Sequence, residues 1–263
     1  MRNKAIPALV AILLLGSAAA WYWWARIAPT PAPPPPVAAP APAEAEPAIQ
    51  NPLPAPGKAM VPELAGSDAP FGAALTALPG AAALADFLRP ENLIRHVVTT
   101  VDNLPRHKLA VEFRPLNSTA GSLAVAGDDD QHATLDERNG ARYATLAAIL
   151  DGLDMHAVND LYRQYYPLFQ RAYEDLGYPK GYFNDRLVAV IDHLLATPDP
   201  PRPLALVRPK VFWEFADPEL EARSAGQKLM LRIGTANEAI VATKLRELRA
   251  LVAARPASAR PNP

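Results

Sequence analysis

The densest group of residues that could do chemistry lies on a helix predicted to begin at Asn184 or Asp185. Asp185, Arg186, Asp192 and His193 all fall away from its apolar stripe, so they could line a cleft. A histidine titrates near neutrality and can act as a general base, with carboxylates as its partners. The alternative is a helix cap, an ion pair and a solvated face. We favour that alternative, because a functional base also needs a pocket.

The segment before this helix is rich in tyrosine, with seven of the eight tyrosines of the chain between residues 143 and 182. Tyrosine offers a flat contact surface with a hydroxyl group, which suits a sugar, a peptide or a partner protein. At helical spacing, however, a tyrosine stripe more often forms core, and we favour core for residues 155–176. The candidate ligand-binding residues are Tyr178, Tyr182, Asn184, Asp185, Arg186, Asp192 and His193.

No other pattern predicts a catalytic residue, a metal site or a cofactor. Two acidic groups with histidine, one at 151–160 and one at 128–132, lack the alternating acids and glycine turn of a calcium loop. The five histidines have no zinc-ligand spacing. The chain also lacks the phosphate-binding loop, the serine nucleophile elbow, the zinc-protease helix and the dinucleotide-binding glycines. An enzyme is therefore the less favoured class.

Composition excludes further classes of protein. With no cysteine, the chain can form no disulfide, thiolate zinc site or iron–sulfur cluster. Its 26 basic and 27 acidic side chains leave a net charge of −1, so we expect no binding to nucleic acid, which needs a concentrated positive field.

Apolar periodicity predicts a compact, mainly α domain with a minor β element over residues 67–255. The predicted helices cover residues 67–78, 90–102, 142–151, 155–176 and 184–197, followed by a short turn from 217 and two helices that begin with capping boxes. Pro90 is expected at the first position of its helix, and the capping boxes pair Ser224 with Gln227 and Thr235 with Glu238. Extended segments are expected at Leu109–Phe113, Leu123–Val125 and Val207–Phe215.

Residues 1–27 form a basic cytoplasmic end and a single membrane anchor in this prediction. Residues 5–25 carry no charge and would span roughly 30 Å as a helix, the thickness of a bilayer core. Arg2 and Lys4 precede this span and an aromatic cluster, Trp21 to Trp24, ends it. The positive-inside rule then places the rest of the chain in the periplasm. The alternative is a signal peptide cleaved after the small residues 18–20.

Residues 28–66 are predicted to be a disordered spacer rich in proline and alanine. Between residues 29 and 56 there are 12 prolines and 8 alanines, a composition that favours extended polyproline II structure. At about 3.1 Å per residue, this stretch would hold the domain up to roughly 85 Å from the bilayer. Residues 256–263 are predicted to be a disordered tail.

Several segments together resemble a known family. They are Glu91-Asn-Leu-Ile-Arg-His96, Thr100-Val-Asp-Asn-Leu-Pro-Arg106, Tyr166-Pro-Leu-Phe-Gln170, Gly177-Tyr-Pro-Lys-Gly-Tyr-Phe-Asn-Asp-Arg-Leu187, Phe215-Ala-Asp-Pro-Glu-Leu220 and Ser224-Ala-Gly-Gln-Lys228. The combination is similar to the bacterial domain-of-unknown-function family 3014 (DUF3014) and covers roughly Ser67 to Val252. The resemblance implies one membrane segment and a proline-rich linker before the domain, in a Gram-negative cell envelope. It implies no catalytic residues.

The sequence thus favours a single-pass inner-membrane protein with a noncatalytic periplasmic domain. We expect this domain to bind or scaffold another envelope protein or a cell-wall component. The alternative is a cell-envelope hydrolase or transferase that uses Asp185, Asp192 and His193.

Overall fold

The computed structural model describes residues 48–54, 61–127 and 129–253. The predicted membrane span, the first part of the spacer and the predicted tail lie outside these residues. In the described part, the α-helices are α1 (Asp68–Thr76), α2 (Leu93–Asn103), α3 (Ala144–Gly152), α4 (Met155–Asp175), α5 (Phe183–Leu195), α6 (Pro218–Glu221), α7 (Ala225–Arg232) and α8 (Thr235–Val252). Short 3-10 turns lie at Leu64–Gly66, Ala82–Asp86, Val111–Phe113 and Glu137–Arg142. Within these ranges, no helix is both long and apolar enough to cross a bilayer.

The main hydrophobic core surrounds α4, which packs against α1, α2, α5 and α8. Most of its predicted apolar stripe is buried, although Val158 is only partly buried and Leu176, at the end of the stripe, is 39% exposed. The four tyrosines at positions 162, 165, 166 and 173 are each at most 9% exposed. Phe183 at the start of α5 stacks on Phe169 at 5.9 Å between ring centroids. The tyrosine stripe of this helix is therefore core.

A smaller core lies under a four-stranded antiparallel sheet. Its strands are β1 (Val125–Ala126), β2 (Ala133–Leu135), β3 (Ala205–Val207) and β4 (Glu214–Phe215), hydrogen bonded in that order. Leu206 lies opposite both Ala133 and Phe215 and is fully buried. The prediction of a mainly helical domain with a minor β element is confirmed.

Two predictions near α2 are wrong. Leu109–Phe113 is not a strand: it ends in the 3-10 turn, with Val111 54% and Phe113 44% exposed. The helix expected from Pro90 begins at Leu93 instead, because the Asp68 carboxylate accepts hydrogen bonds from the backbone N–H groups of Asn92 and Leu93, at 2.7 and 2.8 Å. This cap comes from α1, so the local sequence around α2 does not show it.

The capping boxes have different outcomes. Ser224 caps α7 as predicted, since its Oγ accepts from the backbone N–H of Gln227 at 3.2 Å. The Gln227 side chain instead donates to the carbonyl oxygens of His193 and Ala196, so only the Ser224 half of this box is confirmed. Thr235 is not a cap: Gly234 holds that position with a φ of 88°, close against the backbone of residue 140. Glu238 pairs with Arg202 at 3.2 Å, so its side chain does not complete a box.

The two other segments predicted to be extended have different bounds in the structure. Residues 207–215 are not one extended segment, because the chain reverses between β3 and β4. The segment expected at Leu123–Val125 provides β1 only from Val125 onward.

Part of the predicted spacer is ordered against the domain. Residues 48–54, named the strap below, contact the start of α5, and residues 61–66 include the first 3-10 turn. Leu53, Val61 and Leu64 are partly buried against the main core. For these residues, composition alone predicted disorder, whereas apolar side chains between the prolines and alanines pack on the domain.

A matched pair of glycine variants tests the packing of α3. Gly80 and Gly121 have similar positive φ values, +83° and +78°. A Cβ on Gly80 would lie 2.6 Å from the carbonyl oxygen of Gly152, whereas a Cβ on Gly121 would only make an ordinary contact with Arg142 Nε at 3.9 Å. Gly121→Ala should lower the free energy of unfolding by about 1–2 kcal/mol, the cost of a left-handed alanine. Gly80→Ala adds the clash and should cost about 3 kcal/mol or more. Urea denaturation measures both, and equal costs would contradict the close approach.

Candidate binding site

The first turn of α5 holds the strap. The Asp185 carboxylate accepts hydrogen bonds from the backbone N–H groups of Gln50 and Asn51, at 3.0 and 2.6 Å, and from Asn51 Nδ2 at 3.0 Å. The Tyr182 hydroxyl accepts from the backbone N–H of Leu53 at 3.2 Å. Tyr182 and Asp185 therefore bind a segment of the same chain, and Asn184 is the third of the seven predicted binding residues that does so.

Asn184 joins the strap to two helices. Its side chain is fully buried, and its Nδ2 donates to the carbonyl oxygens of Asn51 and Val252, both at 2.8 Å. Its Oδ1 accepts from the Tyr162 hydroxyl at 3.1 Å. The carboxamide thus connects the strap, the end of α8 and the middle of α4.

Side chains of α4 replace a conventional cap for α5. The Tyr182 side chain makes no cap hydrogen bond, and the backbone N–H of Phe183 donates to Gln170 Oε1 at 2.9 Å. Gln170 also donates to the carbonyl oxygen of Gly181 at 2.8 Å. A residue thirteen positions earlier therefore fixes where α5 begins, and so where Asn184 and Asp185 lie.

Tyr178 and Arg186 belong to a separate cluster around Asp102 of α2. Asp102 is 2% exposed, and its carboxylate accepts from Arg106 at 2.6 Å, from Arg186 at 3.0 Å and from the Tyr178 hydroxyl at 3.3 Å. Arg186 also donates to the Asp102 carbonyl oxygen at 2.7 Å. A buried carboxylate is stabilised by such pairing, which links α2 to α5. No local sequence pattern indicates that Asp102 is their partner.

Asp192 and His193 have partners of their own. Asp192 pairs with Arg249 of α8, and Arg249 Nη2 donates to Asp192 Oδ2 at 3.0 Å. His193 Nε2 lies 2.8 Å from Ser224 Oγ, which also caps α7. Burial lowers the pKa of His193, and the positive charges of Arg186 and Arg223 lower it further. Ser224 is 8% exposed and fills a capping role, so this pair is not arranged as a nucleophile with its base.

The described residues hold no group of three or more side chains placed to bind a metal ion. Asp154 caps α4 by accepting from the backbone N–H of His156 at 2.8 Å, as its position predicted. Asp129 pairs with His132 at 2.5 Å on the surface, and Asp128 lies outside the described residues.

A cavity of about 610 Å³ lies elsewhere, between the 3-10 turn at Glu137–Arg142, residues 202–204 and the first turn of α8. Its lining includes Asn139, Ala144, Arg202, Thr235, Ala236 and Asn237, and none of the seven predicted binding residues. Burial raises the pKa of Glu238, although its partner Arg202 opposes this shift. Three segments far apart in the sequence form the cavity, so no local pattern could predict it.

Two polar groups keep the cavity walls in place. Asn237 Nδ2 donates to the carbonyl oxygens of Gly140 and Ile233, at 2.8 and 2.7 Å. The side chain of Asn139 donates to the carbonyl oxygen of Arg232. These bonds join the 3-10 turn to the loop before α8. The N-cap position of α8 is Gly234, so the first turn of this helix has no side-chain cap.

Removing the Asp185 carboxylate should release the strap. In Asp185→Ala, the amides of residues 50, 51 and 53 should lose protection from hydrogen exchange, and the free energy of unfolding should fall by about 1–2 kcal/mol, because three hydrogen bonds to a carboxylate are lost. Asp192→Ala is the control, since it removes an ion pair of two half-exposed groups, which contributes at most about 1 kcal/mol. Wild-type strap amides that exchange as fast as those of the variant would contradict the docking.

The lowered pKa of His193 predicts a dependence of stability on pH. Because the folded state binds this proton more weakly than the unfolded chain, the free energy of unfolding decreases as the pH falls from neutrality through the ordinary histidine pKa of about 6.5. His193→Gln keeps a polar group near Ser224 and does not titrate, so its stability should fall less between about pH 8 and about pH 5. His156→Gln, at an exposed histidine, serves as the control and should behave as wild type. An unchanged slope in His193→Gln would contradict the assignment.

The comparisons with known proteins give one match. A family model described as "Protein of unknown function (DUF3014)" matches residues 93–249, more than half of the 263 residues. The match begins at the first residue of α2 and includes the Asp102 cluster, all seven predicted binding residues and the first turn of α8, while the strap and α1 lie outside it. No curated protein and no solved structure matches the chain. The chain therefore belongs to the DUF3014 family, as its sequence motifs predicted.

Proposed function

We propose that this protein is a noncatalytic binding module, anchored in the inner membrane by its first 27 residues and displayed in the periplasm. Its ligand is a cell-wall component or another envelope protein. The observation that carries this proposal is the cavity beside α8, whose volume of about 610 Å³ is in the range typical of small-molecule sites.

The lining of the cavity favours a polar ligand with an acidic group. Two arginines line the cavity: Arg232, and Arg202, which is paired with Glu238 at 3.2 Å. The first turn of α8, which has no side-chain cap, adds backbone N–H groups and the positive end of the helix dipole to the same wall. The wall also contains two acidic side chains, Glu137 and Asp136, of which Asp136 is paired with Arg138 at 2.6 Å. A soluble peptidoglycan fragment carries carboxylates, amides and hydroxyls, and so matches these groups.

The same lining favours binding over catalysis. The described residues that line the cavity include no histidine, serine or cysteine. Their one side-chain hydroxyl belongs to Thr235, and of their two carboxylates Asp136 is paired with Arg138. Outside the cavity, Asp185, Asp192 and His193 contact the strap, Arg249 and Ser224 respectively. The three residues of the hydrolase or transferase alternative thus have different partners, which favours structural roles for them.

The membrane location rests on the sequence of residues 1–27 and on the spacer. The uncharged segment, the basic residues before it and the aromatic cluster after it support a retained anchor. The strap, which belongs to the predicted spacer, is hydrogen bonded to the start of α5, so the spacer is attached to the domain at a defined place.

A pair of alanine variants on α8 tests ligand binding at the cavity. Ala236 lines the cavity, whereas Ala239 is exposed on the same helix and does not line it. Full-length wild type and Ala239→Trp should bind soluble peptidoglycan fragments with equal affinity in titration calorimetry, and Ala236→Trp should lose at least about tenfold because the indole fills the cavity. Equal binding by both variants would place the ligand elsewhere.

A second measurement separates the two classes of ligand. If no peptidoglycan fragment binds the wild type, photo-crosslinking from position 236 in intact cells, with position 239 as the control, should capture a specific envelope protein. If neither a fragment binds nor a protein is captured, the assignment of a binding function to this cavity is wrong.

A further inference from the structure

The loop between β3 and β4 presents two apolar side chains to solvent. Val211 is 77% exposed and Phe212 is 79% exposed, more than any other large hydrophobic residue that the structure describes. Arg208, Pro209 and Lys210, immediately before them, are exposed as well. Residues 208–212 are named the knuckle below.

The base of the knuckle is held firmly. The backbone N–H of Arg208 donates to the carbonyl oxygen of Asp130 at 2.8 Å, and its guanidinium pairs with the Asp130 carboxylate, also at 2.8 Å. The same guanidinium lies over the ring of Trp213, 5.0 Å from its centroid. Arg232 donates to the Trp213 carbonyl oxygen at 3.2 Å. The fold therefore fixes both ends of the loop and leaves Val211 and Phe212 pointing away from it.

We infer that the knuckle is a lipid-contact site that inserts Phe212 and Val211 into the interface of an anionic bilayer. Two adjacent side chains are too few for a stable protein interface, which buries about 800 Å² on each partner. They suffice for interfacial insertion, where apolar side chains enter the boundary between headgroups and acyl chains. Lys210 lies beside them, whereas Arg208 is paired with Asp130. A cation near an anionic membrane surface contributes about 1 kcal/mol.

The inference rests on the proposed anchor, because the anchor is what brings the knuckle to a membrane. Between the predicted span and the strap lie residues 28–47, and these twenty residues reach at most about 70 Å when fully extended. Because the anchor keeps the bilayer within this reach, its effective concentration at the domain is high. A weak contact made by two side chains is then enough to hold the knuckle on the membrane.

The absence of cysteine permits a direct test in the full-length chain. Val211→Cys carries a polarity-sensitive fluorophore at the knuckle, and Val111→Cys carries the same label at an exposed valine elsewhere, 54% exposed. Both proteins are reconstituted into nanodiscs of phosphatidylethanolamine and phosphatidylglycerol. The label at 211 should be blue-shifted and quenched by nitroxide lipids at least about twice as strongly as the label at 111.

Further variants test the chemistry of the contact. Phe212→Ser and Lys210→Glu, each in the Val211→Cys background, should weaken lipid quenching, as should replacing phosphatidylglycerol with phosphatidylcholine. A label at 211 that iodide quenches from water as readily as the label at 111 would overturn the inference. A label shielded from both quenchers would also overturn it, because a protein or a second copy would then cover the knuckle.

The same experiment distinguishes this inference from the proposed function. If the chain inserts into nanodiscs but the knuckle stays in water, the anchor stands and only lipid contact fails. If the chain does not insert at all, the anchor fails, and with it the premise that brings the knuckle to a membrane.

Discussion

The buried carboxamide of Asn184 joins α5 to the strap, α4 and α8. A buried amide that lacks hydrogen-bond partners is costly, so its groups must be satisfied inside the fold. Its partners are Tyr162 of α4, the last residue of α8 and the strap, which come from three distant parts of the chain. All three segments therefore pack against the start of α5, and their positions depend on one another.

The residues predicted to bind a ligand at the start of α5 bind other parts of the same chain instead. Carboxylates, amides and tyrosine hydroxyls that can bind a ligand can equally bind a backbone, since both present N–H and C=O groups. At α5, Asp185 and Tyr182 hold the strap, while Arg186 and Tyr178 satisfy the buried Asp102. Residue type and spacing indicate that polar recognition occurs there, but they do not show what is recognised.

Periodicity predicted the parts of the fold that local physics determines. The helix expected over 155–176 is α4, Met155–Asp175, and its tyrosine stripe is core. Ser224 caps α7 because cap and helix adjoin in sequence. By contrast, α2 begins where Asp68 caps it from another helix, and the strap docks through contacts more than a hundred residues away. The cavity joins three separate segments, so its existence depended on tertiary structure that no local pattern records.

Docking of the strap also shortens the free tether between the predicted membrane span and the domain. If the spacer ran freely to residue 66, the domain would move on a longer tether, whereas docking at residue 48 removes about 60 Å of extended chain from its reach. Effective concentration falls roughly as the −3/2 power of tether length, so the shorter tether favours weak contacts near the point of attachment. In a chain without cysteine, no disulfide can hold this arrangement. It depends instead on hydrogen bonds to Asp185, Tyr182 and Asn184, and a change at the first turn of α5 would alter both the packing of α8 and the distance over which the domain acts.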